Sequence, residues 1–275
     1  MNTNTRISNR QLENISHQIS ERDKDILEGI RKFRYLTSNQ IWCLYFSESI
    51  NPTAAHRAAN RALIKLKELG LITTLNRRIG GVRAGSGSYI WNLATAGARL
   101  LNQNNNAAKI PKRKRHFEPS RMFLEHTLAV AETYVQLTLI QKKHENIDLL
   151  RVDVEPNCWR SYVGENGAVT YLKPDLYIET TVADYEDHWF FEIDLITEAP
   201  SRILHKCQQY YRYYLCGAEQ KKTGIFPLVV WITLSTKRAE NLRKYIAEEF
   251  KTRQVDIFRV IMPEELERLI VEHTV

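Results

Sequence analysis

Asp175, Glu192 and Asp194 are the first side chains in this sequence whose type and spacing could do chemistry. Asp175 follows Pro174, and Glu192 and Asp194 flank Ile193. In a strand, alternate side chains share a face, so Glu192 and Asp194 point one way while Phe191, Ile193 and Leu195 point the other. Grouped carboxylates are hard oxygen donors. The plainer role of acidic strand residues is to cap backbone groups or pair with basic side chains. The next segment, Pro200–Leu215, carries Lys206, Gln209, Tyr210 and Tyr213 at helical spacing i, i+3, i+4 and i+7. A lysine there could meet a phosphate or hold the acids together. A tyrosine among Tyr210, Tyr211, Tyr213 and Tyr214 could act as a nucleophile. Ile203, Leu204, Cys207, Tyr211 and Tyr214 are expected to face the sheet, leaving Lys206, Gln209 and Tyr213 along the flank.

A second set of polar residues suits nucleic acid. Thr53–Leu69 has an apolar stripe of Ala55, Ala58, Ala59, Ala62, Leu63, Leu66 and Leu69, and Gly70 is placed to end the helix. The opposite face carries His56, Arg57, Asn60, Arg61 and Lys65. Beyond it, the glycine-rich loop Asn76–Ser88 holds Arg77, Arg78 and Arg83. Arginine and asparagine fit guanine and adenine edges, and loop arginines fit phosphates. The charge supports this division: residues 1–116 hold 20 of the 39 Lys/Arg against 7 of the 32 Asp/Glu, leaving 19 against 25 beyond them. A basic first half and an acidic second half imply that the first attracts the polyanion, expected to be double-stranded DNA.

The elements that must position these residues follow from periodicity. Arg22–Phe33 and Ser38–Phe46 read as short helices, the second started by Thr37. Strand-like runs Leu71–Leu75 and Tyr89–Leu93 flank the basic loop. Asn102–His116, with Lys112-Arg113-Lys114-Arg115, keeps no hydrophobic period and reads as a linker. A long helix is expected over Pro119–Lys142. Strands are then expected near Leu149–Val154, Leu172–Glu179 and His188–Ile196. A helix at Pro200–Leu215, a strand at Phe226–Leu234, a helix at Thr236–Phe250, a strand at Val255–Met262 and a closing helix complete the chain. The fold class is therefore α+β with a mixed sheet, divided as a polar arm (1–20), a basic domain (21–101), a basic linker (102–117) and an α/β domain (118–275).

Three helices and a hairpin with an arginine-bearing tip resemble the winged helix-turn-helix, in which the third helix lies in the major groove. The later order α-β-β-β-α-β resembles the core of the PD-(D/E)xK nucleases. That resemblance implies that Asp175 and Glu192, with Asp194 beside them, hold a divalent ion, Mg2+ or Mn2+, that polarises a scissile phosphate. Asp194 stands where those enzymes carry lysine; some of them place it on the following helix, where Lys206 is the match. Gln209 and Tyr213 resemble the QxxxY element of RecB-type nucleases. The chain as a whole is similar to the replication-relaxation family of plasmids and other mobile elements. That likeness rests on Arg22–Phe46, Ala55–Leu71, Phe123–Val130 and the pattern Phe191-Glu192-Ile193-Asp194…Thr197-Glu198…Lys206…Tyr210. It implies plasmid replication, DNA relaxation or conjugative mobilisation. DNA nicking is one form of this; a non-catalytic winged-helix initiator or regulator is the other. Host replication or conjugation proteins are implied partners, and an oligomer is compatible with either form.

The remaining features exclude other classes. The polar beginning MNTNTRISNRQLENISHQIS has no signal-peptide core, and the longest apolar run, Leu228–Leu234, is strand-sized. Cys43, Cys158, Cys207 and Cys216 lack metal-ligand spacing and read as reduced thiols. The expectation is a cytoplasmic protein without a membrane partner.

Overall fold

The computed structural model describes residues 7–47, 51–76, 88–104, 118–164, 167–253 and 255–272. The chain forms two compact units, Met1–Val135 and Gln136–Val275. Among the described residues no helix is long and apolar enough to cross a membrane.

The first unit begins with α1 (Asn9–Ser16), inside the stretch expected to be a polar arm. Ser8 and Gln11 close a reciprocal capping box, and Leu12 is fully buried. One well-placed leucine and a cap are enough to dock a helix that its polar composition conceals. Helix α2 (Glu21–Phe33) is capped in the same way by Ser20 and Asp23, and buries Ile26, Leu27, Ile30 and Phe33. A short strand, β1 (Tyr35–Thr37), leads to α3 (Ser38–Tyr45), where Thr37 and Gln40 form a third capping box. Helix α4 (Pro52–Glu68) starts from Asn51 with proline in its first turn, where the missing N–H costs nothing. It buries Ala55, Ala59, Leu63 and Leu66, and Gly70 ends it with φ +70°. Strands β2 (Ile72–Thr74) and β3 (Ile90–Leu93) complete an antiparallel sheet in the order β1-β3-β2. Helix α5 (Thr95–Asn104) follows, and it includes the first residues expected to be linker. Its Gly97 is required by close approach, because a Cβ there would lie 2.3 Å from the Leu71 carbonyl oxygen.

Helix α6 (Arg121–Lys143) runs past the boundary between the units, so most of its length belongs to the first. In the second unit, β4 (Ile147–Val154) is followed by a separate hairpin, β5 (Arg160–Val163) and β6 (Val169–Leu172). The main sheet continues with β7 (Leu176–Val182) and β8 (Tyr185–Asp194). The single strand expected over Leu172–Glu179 is thus two strands, broken at Lys173-Pro174, where proline has no N–H to give a ladder. Helices α7 (Pro200–Cys216) and α8 (Ala218–Thr223), strand β9 (Leu228–Thr233), helix α9 (Thr236–Phe250), strand β10 (Phe258–Ile261) and helix α10 (Leu266–Glu272) complete the unit. The sheet order is β10-β9-β8-β7-β4: β4, β7 and β8 are antiparallel neighbours, whereas β8, β9 and β10 run parallel. The protein is α+β with a mixed five-stranded sheet. Phe190, Val229 and Trp231 of that sheet pack with Ile203, Cys207, Tyr210 and Tyr213 of α7 and Leu242, Ile246 and Phe250 of α9.

Candidate functional site

Glu192 and Asp194 stand on β8, the central strand of the sheet, and Asp175 directly precedes β7 beside it. The last paired residues of β7 and β8 are Leu176 and Phe191, so one step further brings Asp175 opposite Glu192. Asp175 Oδ2 accepts the Ile193 N–H at 2.8 Å, in the place that a carbonyl of a continuing strand would take. The buried Cys158 thiol donates to the Pro174 carbonyl at 2.9 Å and fixes the entry to Asp175. Burial pushes that thiol far above the usual cysteine range, so it is structural and not reactive.

Glu192 is 1% exposed and is held by α7. Lys206 Nζ donates to Glu192 Oε2, and the Tyr210 hydroxyl donates to Glu192 Oε1 at 2.5 Å. Burial pushes the Glu192 carboxyl up to about 8; Lys206 and Tyr210 oppose the shift and the charge of Asp175 reinforces it. Burial alone would discharge Lys206, but Glu192 and Asp175 outweigh it and hold the ammonium above the ordinary lysine range. Tyr210 is fully buried, and burial together with Glu192 drives its hydroxyl well above the usual tyrosine range. It serves as a hydrogen-bond donor here, not as an activated nucleophile.

Asp194 follows the strand alternation but has a different partner. Arg238 of α9 donates Nε to Asp194 Oδ2 at 2.7 Å and Nη2 to Oδ1 at 3.3 Å, and Thr233 donates its hydroxyl to Oδ2 at 3.3 Å. Asp194 is therefore committed to Arg238. A Mg2+ or Mn2+ needs hard oxygen donors, and the repulsion between Asp175 and Glu192 is the kind that a bound cation relieves. Asp175 and Glu192 offer oxygen donors of that kind, and both Glu192 oxygens already accept from Lys206 and Tyr210. Among the described residues, no group of three His, Cys, Asp or Glu side chains is placed around a common ion.

The phase of α7 departs from expectation. Tyr210 and Tyr213 are buried, while Tyr211 and Tyr214 are only half-buried. The hydroxyls explain it: Tyr210 reaches Glu192 and Tyr213 reaches Glu219, so both polar tips are satisfied inside. Glu219 also pairs with Arg160, whose guanidinium lies 4.2 Å from the centre of the Tyr177 ring. Neither Arg160, Glu219 nor Arg238 carries a signal in the sequence, because the Arg160–Glu219 and Arg238–Asp194 pairs each close across 44 or more positions.

In the first unit Arg57, Asn60 and Arg61 lie exposed on α4, and His56 stacks on Trp42 at 4.0 Å. Lys65 was expected on that face but donates to the buried Asp23 at 2.9 Å. Burial opposes charge on Asp23, yet Lys65 and the backbone and hydroxyl of Ser20 outweigh it and hold the carboxyl below its ordinary range. A lowered carboxylate contributes stability above its unfolded pKa and loses it as pH falls through the folded one. With Lys65 44% exposed, Lys65→Ala should cost about 0.2–1 kcal/mol at neutral pH. Urea melts should show that cost shrinking as Asp23 protonates. Arg77, Arg78 and Arg83, and the run Lys112–Arg115, lie outside the described residues.

A family model described as replication-relaxation matches residues 27–229 of the chain. No curated protein and no solved structure gives a match.

Proposed function

The chain belongs to the replication-relaxation family, and from that membership we propose that it is a DNA-binding protein serving the replication or mobilisation of a plasmid or similar element. The observation that carries the proposal is the topology of the first unit. Helix α2, strand β1, helices α3 and α4 and strands β2 and β3, with sheet order β1-β3-β2, support a winged-helix reading. In that reading α4 enters the major groove. Its exposed Arg57, Asn60 and Arg61 have no side-chain partner among the described residues and read base edges. Arg77, Arg78 and Arg83 belong to the connection between β2 and β3, the place of the wing, and meet phosphates. A labelled duplex should be retarded by the full chain at ~50 mM salt; failure to retard any duplex overturns the reading.

A second reading, DNA nicking, is favoured by the convergence of Asp175, Glu192 and Lys206. The order α6-β4-β7-β8-α7-β9, with β4-β7-β8-β9 adjacent in the sheet, supports the likeness to PD-(D/E)xK nucleases. Asp175 and Glu192 would hold a divalent ion that polarises the phosphate and activates water. Lys206 would stand beside the scissile phosphate once released from Glu192. Tyr210 would orient Glu192. Conversion of supercoiled plasmid with Mg2+ or Mn2+, lost in Lys206→Ala, is the expected result. A wild-type chain that binds DNA and leaves the plasmid intact in both metals sinks this second reading and leaves the first standing.

A further inference from the structure

Between the acidic strand and the helix that carries Lys206 lies a turn that local preference opposes. Ile196 has φ +65°, a left-handed conformation that a β-branched side chain resists. It is 48% exposed, so burial does not hold it there. Hydrogen bonds do. Asp194 Oδ1 accepts the Ile196 N–H at 3.0 Å. Arg238 binds Asp194 and also donates Nη2 to the Glu198 carbonyl at 2.6 Å. One guanidinium thus grips the first and the last residue of the turn. Helix α7 begins two residues later, and its N-cap, Ala199, makes no side-chain cap. The turn therefore sets where α7 leaves the strand, and Ile203, Cys207, Tyr210 and Tyr213 pack the rest of the helix on the sheet.

We infer that Arg238 and Asp194 form a latch that holds the strained Ile196 turn and so positions α7, with Lys206 and Tyr210, on Glu192. Asp194 then has a defined task at the position where the nuclease pattern carries lysine: it anchors the turn, and the cation comes from the helix. Arg238 is a positioning residue for this site, acting through the turn. The latch does not depend on whether the chain nicks DNA.

Lys206 reports on the latch. Bonded to Glu192, it should resist acylation by an amine-reactive ester in the folded full-length chain, measured by mass spectrometry against the exposed Lys222. In Arg238→Ala its rate should rise about tenfold, within the range of coupling between neighbouring groups. Glycine adopts the left-handed conformation without strain. Ile196→Gly added to Arg238→Ala should therefore restore protection, whereas Ile196→Gly alone should leave Lys206 protected. A simple loss of packing at Arg238 would not be rescued by removing a side chain elsewhere. If the alanine variant does not fold, Arg238→Lys serves: it keeps a charge on Asp194 but cannot fork to Glu198, and should give a smaller rise with the same glycine rescue. Unchanged Lys206 reactivity in the folded Arg238 variant, or no rescue by glycine, overturns the inference.

Discussion

Above about pH 8, where Glu192 is ionised in the folded chain, Glu192→Ala is expected to lower the unfolding free energy by about 3–5 kcal/mol, the cost of breaking a buried ion pair from one side. The change strands two groups at once. Lys206, 26% exposed at its side chain, loses its counter-charge, and the fully buried Tyr210 hydroxyl loses its acceptor. Glu192→Gln should cost less, because the amide oxygen can still accept one of the two bonds. Replacing both partners, as Glu192→Gln with Lys206→Met, should recover part of the loss, since an apolar substitute pays no desolvation. Urea melts of the single and double variants would read this; a loss in Glu192→Ala no larger than that of an average surface change contradicts the geometry.

The same residue makes stability depend on pH. Glu192 is raised from 4.5 in the unfolded chain to about 8 in the folded one. A raised carboxyl favours its neutral form in the folded state. Its contribution is complete below the unfolded value and is lost as pH rises through the folded one. Glu192→Gln is neutral throughout and lacks this term. The wild-type advantage over Glu192→Gln should therefore shrink between about pH 4.5 and pH 8.

The second large effect is expected on α4. Arg57→Ala, Asn60→Ala and Arg61→Ala should each cost about 1–3 kcal/mol of discrimination between preferred and altered duplexes. These residues are exposed, on the face away from Ala55, Ala59, Leu63 and Leu66. They should therefore change recognition without changing the melting temperature. Lys65→Ala should do the reverse, because its ammonium is spent on Asp23. Arg77→Ala and Arg78→Ala should weaken all duplexes alike. Competition binding with a duplex library separates the two patterns. Uniform losses from all three α4 changes would move the base-reading role away from this helix.

Much of this organisation was legible in the sequence wherever one residue pattern decided it. The alanine and leucine stripe of α4 is long and periodic, so its extent and its exposed arginines could be read directly. Pro200 gave the start of α7, and Glu192 and Asp194 gave their own alternation. The misreadings occurred where a distant partner decided the outcome. Lys65 looked like one more basic residue until Asp23 claimed it from 42 positions away. The helical phase put Tyr211 and Tyr214 against the sheet and Tyr213 on the flank, yet Tyr210 and Tyr213 are the buried pair, because Glu192 and Glu219 satisfy their hydroxyls there. Helix α1 offers one buried leucine in a polar segment and owes its order to that residue and its capping box. Arg238, which claims Asp194 from 44 positions away, was invisible for the same reason.

The central claim is that the first unit binds DNA through charges on α4 and on the β2–β3 connection. Duplex affinity of the full chain, measured by fluorescence anisotropy across a salt series, tests it most directly. The account predicts that log affinity falls linearly with log salt, and that each phosphate-contacting arginine removed from Arg77, Arg78 and Arg83 lowers the slope by about 1. An affinity that does not change with salt, or a slope untouched by removing all three arginines, contradicts it.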